Sequence, residues 1–260
     1  MEQIILNYIR IFLGYGNLKS TFWNVAMDEG GGNRWNELHA RFTVWAARGA
    51  VPVEDLREFH LAIRITRWFI PAVPLGPIPL QPTWRQMIRV FLNATGVAVA
   101  IPGLQAFQAN QLGRQNTPPV SPCVFDLMPL PRAGQNAWPY AHLAQQYPQL
   151  SFLADRATYF AEVRPPRIEL LRNCIKKHRP KVVCFYAIGK KYLVWWNEIA
   201  GVALQPQPLH NPNGQLLGNF CIAQGNGTLF VVARHPTEHG VTNDYFDAVG
   251  RRVAEIVPGL

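Results

Sequence analysis

The sequence predicts an α/β fold, in which a central, mostly parallel sheet is flanked by helices. Three features predict it: short apolar runs of the kind that form buried strands, amphipathic segments between them, and proline- or glycine-rich connections. Apolar strands that alternate with helices are typical of a parallel sheet covered on both faces. A chain of 260 residues is the size of one large domain, so residues 1–260 are predicted to form a single domain.

The first half of the chain is predicted to hold one strand and three helices. The strand is a buried apolar run that begins at Trp23 and ends in a loop at Asp28. Helical spacing of apolar side chains predicts the first helix, and Pro52 followed by acidic residues predicts the start of the second. Five prolines between residues 71 and 82 indicate an irregular connection. The three helices are predicted over residues 35–48, 53–68 and 84–95.

The second half of the chain alternates strands with helices. A strand over residues 121–130 is predicted to end in a Pro-Leu-Pro loop, and two apolar runs indicate strands at 181–187 and 229–233. Amphipathic spacing predicts the helices, the last of them capped by Thr242 or Asn243. These helices are predicted over residues 166–178, 190–199 and 243–257.

Groups able to do acid–base or electrostatic work lie at the ends of three predicted strands. Asp28 and Glu29 stand before three glycines, Asp126 belongs to a middle strand, and His235 is followed by a proline. Ligands of α/β sheets bind at the carboxyl ends of the strands, so we expect the three positions to converge. Simpler interpretations stay open: carboxylates that cap a helix, a histidine bonded to its own loop, and an aspartate that caps a turn.

The composition favours a polyanionic partner. The net charge is +9, from 25 Lys and Arg against 16 Asp and Glu, and phosphate contacts by basic side chains release counterions. Nucleic acid is one such partner, although many basic proteins bind no polyanion, and charge alone does not decide between the two. No apolar run reaches the ~18 residues of a membrane span, and the first residues lack the basic segment and cleavage site of a signal peptide. A cytoplasmic protein with no membrane partner is expected.

The four cysteines stand at positions 123, 174, 184 and 221, without a Cys-x-x-Cys pair. Their spacing argues against a zinc ribbon and against an iron–sulfur cluster. Three of them lie in apolar runs, where cysteine packs as a small hydrophobic residue. The sequence therefore predicts no metal and no cofactor.

The strand-end motifs resemble those of the uracil-DNA glycosylase superfamily. The first family motif is a strand followed by Gly-Gln-Asp-Pro-Tyr or a relative, and residues 26–30, Ala-Met-Asp-Glu-Gly, occupy the same place. The second is His-Pro-Ser, matched by His-Pro-Thr at residues 235–237. The third is a strand ending in a base-reading residue and a proline-rich loop, matched by residues 124–132. The likeness covers most of the chain in order and spacing.

The resemblance implies a three-layer glycosylase fold and a hydrolytic role for the strand-end residues. Asp28 is expected to act at the sugar, with Glu29 as a second candidate, and His235 at the leaving base. A carboxylate stabilises the cationic sugar that forms during the reaction, and a histidine donor stabilises the departing base. The motifs contain no lysine to form a Schiff base. A monofunctional enzyme that leaves an abasic site is expected.

Other positions are expected to hold the flipped base and the DNA. Asp126 occupies the base-reading position, and Phe125 is a candidate for stacking on the base. Gly30 and Gly31 are expected to leave room in the base pocket. The residues expected to contact DNA are Thr237, Arg234, His239 and Arg132.

Two departures from the family pattern bear on the substrate. Uracil-specific relatives carry asparagine where this chain has Asp126, and an ionised aspartate only accepts hydrogen bonds, which suits the amino group of cytosine. Gly30 stands where the family has a tyrosine that excludes bulk at C5. Together they predict excision of a cytosine with a bulky 5-substituent, as in viral DNA, and hence a role in antiviral defence. The alternatives are uracil excision in base-excision repair and a catalytically silent DNA-binding relative.

Overall fold

The structure is a computed structural model that describes residues 1–32, 34–73, 76–116, 121–132, 134 and 138–260. Helices flank one eight-stranded sheet in this part of the chain. The strands are β1 (Gly14–Tyr15), β2 (Phe22–Gly30), β3 (Val53–Glu54), β4 (Cys123–Arg132), β5 (Val182–Tyr186), β6 (Pro206–His210), β7 (Leu216–Gly225) and β8 (Thr228–Ala233). The helices are α1 (Glu2–Ile11), α2 (Trp35–Ala47), α3 (Leu56–Ala62), α4 (Pro82–Ala94), α5 (Ile101–Asn110), α6 (Ala141–Gln146), α7 (Arg156–His178), α8 (Lys190–Ala200) and α9 (Asn243–Ile256), with a 3-10 helix at Pro148–Leu153.

The strands lie in the order β3-β1-β4-β2-β5-β8-β7-β6. The four central strands, β4, β2, β5 and β8, pair in parallel, and antiparallel pairs lie on either side of them. This confirms the predicted α/β fold with a mostly parallel sheet. The chain leaves β2 toward β4 and leaves β5 toward β8, so the topological switch point lies between the carboxyl ends of β2 and β5.

The central strands are buried along most of their length. Every residue of β4, β5 and β8 is buried, as in parallel sheets whose two faces are both covered. Such strands are continuous apolar runs, and for this reason the sequence locates β5 and β8 to within one residue. Burial in β2 extends through Met27, Asp28 and Glu29 are partly buried, and Gly30 is exposed at the end of the strand.

The register of β2 against β4 places two candidate carboxylates on one face of the sheet. Ala26 lies opposite Asp126. Because side chains alternate between faces along a strand, Ala26 and Asp28 share a face, and Asp126 shares it with them. The pairing shifts between Asp28 and Gly30, where the end of β2 lies beside Arg132.

The predicted helix over 53–68 is wrong in its extent. Its first two residues form β3, and α3 begins only at Leu56. The side chain of Asp55 caps α3 by accepting a hydrogen bond from the backbone N–H of Glu58, so the acidic cluster marks a helix start three residues later than predicted. Arg64 adopts a left-handed conformation with φ of 63°, which is incompatible with a helix that continues to residue 68.

Prolines account for two further errors. β4 continues through Pro129 and Pro131 to Arg132, where the sequence predicts a loop. α7 begins at Arg156 and contains the pair at 165–166, where the sequence predicts the helix to start. Each proline removes a backbone donor. Burial of the whole of β4 and of one face of α7 outweighs that loss.

The other predicted helices are confirmed to within two residues, and Thr242 caps α9 by accepting from the backbone N–H of Tyr245. The described residues of 71–81 contain neither helix nor strand, as expected for a proline-rich connection. The sequence did not predict α1, α5 or the β6–β7 hairpin. Among the helices of the described ranges, none has the length and apolar character needed to cross a membrane.

Candidate active site

A cavity of about 720 Å³ opens where the central strands end. Its volume lies in the range of sites that enclose a small molecule. Its wall includes the end of β2, residues 187–189 after β5, and the segment after β8. The structure therefore brings the two end motifs to one site, as the strand-end rule predicts. The sequence-predicted residues that line the cavity are Asp28, Glu29, Gly30, Asp126, Arg132, His235 and Thr237.

Asp28 is held by Arg132. One carboxylate oxygen, Oδ2, lies 2.7 Å from Nε of Arg132 and 2.6 Å from its Nη2. Nη1 of the same guanidinium donates to the backbone carbonyl of Gly134 at 2.8 Å. The side chain of Arg132 is 8% exposed. The structure therefore corrects the DNA contact predicted for Arg132, because its donors are directed at Asp28 and at its own loop.

Glu29 lines the cavity and belongs to a largely buried polar cluster. Its Oε1 accepts from Nη1 of Arg41 at 2.6 Å and from the hydroxyl of Tyr15 at 2.7 Å, and Nε2 of His60 lies 3.7 Å away. Burial is the largest single influence on Arg41 and lowers its pKa, but the charge of Glu29 and its hydrogen bond, together with Tyr15 and Tyr8, more than offset burial, so the pKa of Arg41 is raised. Glu29 is thus the counter-ion of a buried arginine, and its side chain is less exposed than that of Asp28, 10% against 17%.

The ring of His235 is oriented by its own loop. Its Nδ1 lies 3.3 Å from the backbone nitrogen and 3.1 Å from the hydroxyl oxygen of Thr237. A backbone N–H only donates, so Nδ1 is the acceptor and the proton of a neutral ring sits on Nε2. Burial lowers the pKa of His235, although Asp28 and Glu238 act in the opposite direction. His235 therefore offers a neutral Nε2–H donor at the cavity.

Asp126 lies deeper than the other two carboxyl groups, with 6% of its surface exposed. Burial raises the pKa of Asp126 well above its usual range, and the charges of Glu29 and Asp28 raise it further. Arg167 and Arg41 act in the opposite direction. An ionised Asp126 is the premise of the cytosine prediction, and these surroundings oppose it.

Four predicted residues lie away from the cavity wall. Phe125 is fully buried and packs edge-on against Trp23, with ring centroids 5.1 Å apart, so it is a core residue and not a stacking platform. Arg234 pairs with Glu238, its Nε lying 3.1 Å from Oε1. His239 is exposed in the loop beyond. Gly31 has a left-handed φ of 110° and faces α2.

Gly30 differs from its neighbour because it lines the cavity. A Cβ atom built on Gly30 would meet nothing within 4 Å, so the space next to it is open. Gly32 shows the opposite: with φ of 76°, its Cβ would lie 2.5 Å from Cδ2 of Leu38. The left-handed φ, which an L side chain rarely adopts, explains why glycine is favoured at position 32.

The N-terminus of α4 forms a wall of the cavity that the sequence does not predict. Gln81, Thr83, Trp84 and Met87 line the cavity, in a segment to which the sequence assigned no role. α4 is anchored to α9, where Asp247 accepts hydrogen bonds from the side chains of Arg89 and Asn93. No motif marks this wall, because contacts between helices distant in sequence place it.

No group of three or more His, Cys, Asp and Glu side chains in the described ranges is arranged to hold a metal ion. The site instead consists of an arginine-bound carboxylate, a neutral histidine and a buried carboxyl group around one cavity. No protein-family model matches the chain, and no curated protein matches it.

Proposed function

We propose that this protein is a monofunctional DNA glycosylase, which hydrolyses the N-glycosidic bond of a flipped, modified pyrimidine and leaves an abasic site. The observation that carries the proposal is the placement of Asp28 and His235. They come from the ends of two different strands, 207 residues apart in the chain by their numbers, and line one cavity. The resemblance of residues 26–30, 124–132 and 235–237 to the uracil-DNA glycosylase motifs supports the same class.

The proposed chemistry divides between the two ends of the breaking bond. As the bond between C1′ and the base nitrogen lengthens, the sugar becomes cationic and the base anionic. The Asp28 carboxylate stabilises the sugar and orients the water that adds to C1′, and Nε2–H of His235 stabilises the base. The water supplies hydroxyl to the sugar, and its proton leaves with the base. No lysine lines the cavity among the described residues, which agrees with hydrolysis by water.

Three observations support DNA with a bulky base as the substrate. The cavity is larger than a plain pyrimidine requires, and the space beside Gly30 is open. Lys190 and Lys191 are exposed directly after Gly189, which lines the cavity, so positive charge stands at its edge for phosphate contacts. A flipped pyrimidine with a bulky 5-substituent, such as a cytosine of viral DNA, fits this site, and excision of it is our proposed antiviral role.

One observation favours the alternative of a silent DNA-binding relative. Arg132 neutralises much of the charge of Asp28, and a neutralised carboxylate stabilises a cationic sugar less well. A binding protein would keep the cavity and the basic surface without turnover. The two proposals differ in whether a base is released.

Mass spectrometry of released bases tests the proposal. The purified protein is incubated with three DNAs, which contain uracil, plain cytosine, or viral cytosine with a bulky 5-substituent. We expect release from the third DNA. Release of uracil alone keeps the glycosylase class and contradicts the substrate. DNA binding without release from any of the three supports the silent relative.

Thr237→Val is expected to slow base release by about threefold to tenfold, the value of one neutral hydrogen bond. The substitution removes the hydroxyl that contacts Nδ1 of His235 but keeps the backbone N–H. Single-turnover rates measure the effect, and Thr237→Ser is the matched control because it keeps the hydroxyl. Equal rates for the valine and serine variants would show that this hydroxyl does not orient His235.

A further inference from the structure

Four carboxyl side chains line the cavity, and they differ in their partners. Glu238 pairs with Arg234. Asp28 is bound by Arg132, and Glu29 is bound by Arg41. Within the part of the chain that the structure describes, no side chain donates a hydrogen bond to the carboxyl group of Asp126. Asp126 is therefore the one of these four without a basic partner among the described residues, so both oxygens of its carboxyl group are left for a ligand.

Arg167, which lowers the pKa of Asp126, does not supply that partner. Arg167 of α7 is buried, and it donates to the backbone carbonyl of Asp126 at 2.9 Å and to that of Leu127 at 3.0 Å. Its guanidinium thus holds the strand in place and leaves the Asp126 carboxyl free. A buried carboxyl group without a bound cation is more stable as the neutral acid.

We propose that Asp126 reads the edge of the flipped base as a carboxylic acid, donating one hydrogen bond through its O–H and accepting one through its C=O. This inference rests on the proposed function. An acid offers a donor and an acceptor side by side, as asparagine does, whereas a carboxylate offers acceptors alone. Burial and the charges of Glu29 and Asp28, which raise the pKa of Asp126, support the same state.

A cytosine-type edge fits this pair of groups. Ring N3 of cytosine accepts from the O–H, and the amino group donates to the C=O. Uracil presents the reverse pair, an N3–H donor and an O4 acceptor. The carboxylic acid can bind this pair if its O–H and C=O exchange places, so Asp126 alone does not exclude uracil. The negative charges of Glu29 and Asp28 nearby favour an amino group over the O4 oxygen of uracil. Preference for cytosine then follows from the field around Asp126 and not from its own charge.

The proposal makes base release depend on pH. As pH rises and Asp126 ionises, its O–H donor is lost, and the rate falls. The groups that act most strongly on Asp126 are Glu29, Asp28, Arg167 and Arg41, and Tyr8 is coupled to it as well. The other charged or titratable groups that line the same cavity are Tyr15, Arg132, Tyr192, His235 and Glu238. Burial raises the pKa of Tyr8 and lowers that of Arg167 to about 10, so both titrate above the neutral range.

Single-turnover base release from DNA with bulky 5-substituted cytosine, across the neutral and alkaline range, tests the proposal. The variants are Asp126→Asn, which keeps a donor and an acceptor without a titrating proton, and Asp126→Ala, which keeps neither. We expect the asparagine variant to stay within about tenfold of the wild-type rate and to lose the alkaline fall. The alanine variant should be slower than the asparagine variant by about tenfold or more.

Infrared spectroscopy supplies a readout that does not need turnover. A protonated carboxyl group gives a carbonyl band, which should be present in the wild type at neutral pH and absent in Asp126→Asn. Adding the modified-cytosine DNA should shift that band, because the base then bonds to the acid. Thermal melting of each variant shows that it is folded.

The outcomes separate the two proposals. If the wild type releases base and the rate of Asp126→Asn does not fall at alkaline pH, the result supports a protonated Asp126. Suppose that the wild type releases base but Asp126→Asn is inactive, or that its rate still falls at alkaline pH. Either result contradicts the protonated state of Asp126 and leaves the glycosylase proposal in place. No base release from any DNA overturns the glycosylase. In that case the infrared carbonyl band still tests the protonation of Asp126. A band that shifts when DNA is added supports the protonated carboxyl group, and a band that is absent or does not shift contradicts it.

Discussion

Asp28→Asn is expected to lower the rate of base release by about 10²–10³-fold, the effect of removing a preorganised electrostatic group from an enzyme site. The amide keeps the shape of the carboxylate but loses the negative charge that stabilises the cationic sugar. Arg132 makes the loss larger, because its guanidinium stays 2.6 Å from the place of the missing charge and then acts as an uncompensated cation beside the sugar. Single-turnover rates at saturating protein measure the effect.

DNA affinity provides the control on this prediction. Asp28 is acidic, so its loss should not weaken binding to a polyanion, and the dissociation constant should stay level or fall. Glu255→Gln is the matched substitution, because Glu255 is 59% exposed and pairs with Arg252 at the surface of α9; its rate should equal that of the wild type. An Asp28→Asn variant that releases base at the wild-type rate would exclude Asp28 as the group at the sugar.

Strand-end chemistry is the part of the site that follows from sequence. Strands that are buried on both faces consist of continuous apolar runs, so the sequence indicates where each strand ends. Parallel strands bring those ends to one edge, and Asp28 and His235 meet there as expected. The expectation that Asp126 also ends a strand is wrong, because β4 continues from Cys123 to Arg132. Asp126 lies within the strand and reaches the site because it is opposite Ala26 in the register of β4 against β2.

The partners of these groups do not follow from sequence. Arg132 is 104 residues from Asp28 in the chain, and no local pattern pairs them. Predicting Arg132 as a phosphate ligand fails because an arginine beside a motif has no preferred partner until the fold is known. The wall formed by Trp84 is missed for a similar reason, since packing of α4 on α9 places it. Sequence thus reveals which groups end the strands, and tertiary contacts decide which of them are free.

Glu29→Gln is expected to lower the free energy of unfolding by about 3–5 kcal/mol, because it leaves a buried arginine without its counter-ion. Arg41 is 2% exposed, and its Nη1 lies 2.6 Å from Oε1 of Glu29. The neutral amide still accepts from the hydroxyl of Tyr15, so the loss measures the missing charge and not an empty space. Chemical denaturation of the two proteins, with equal slopes required for a valid comparison, gives the difference.

Glu37→Gln is the matched control for this prediction, since it makes the same change on the same arginine. Glu37 lies 3.8 Å from Nε of Arg41 and is 30% exposed, and a partly exposed pair at helical spacing contributes less than about 1 kcal/mol. A large loss for Glu29→Gln and a small one for Glu37→Gln would identify Glu29 as the structural carboxylate of the first motif. If Glu29→Gln instead kept full stability but released no base, Glu29 would be identified as a catalytic residue. Because Asp28 and Glu29 are adjacent in sequence and differ only in what holds them, these two measurements separate the catalytic carboxylate from the one that holds the fold.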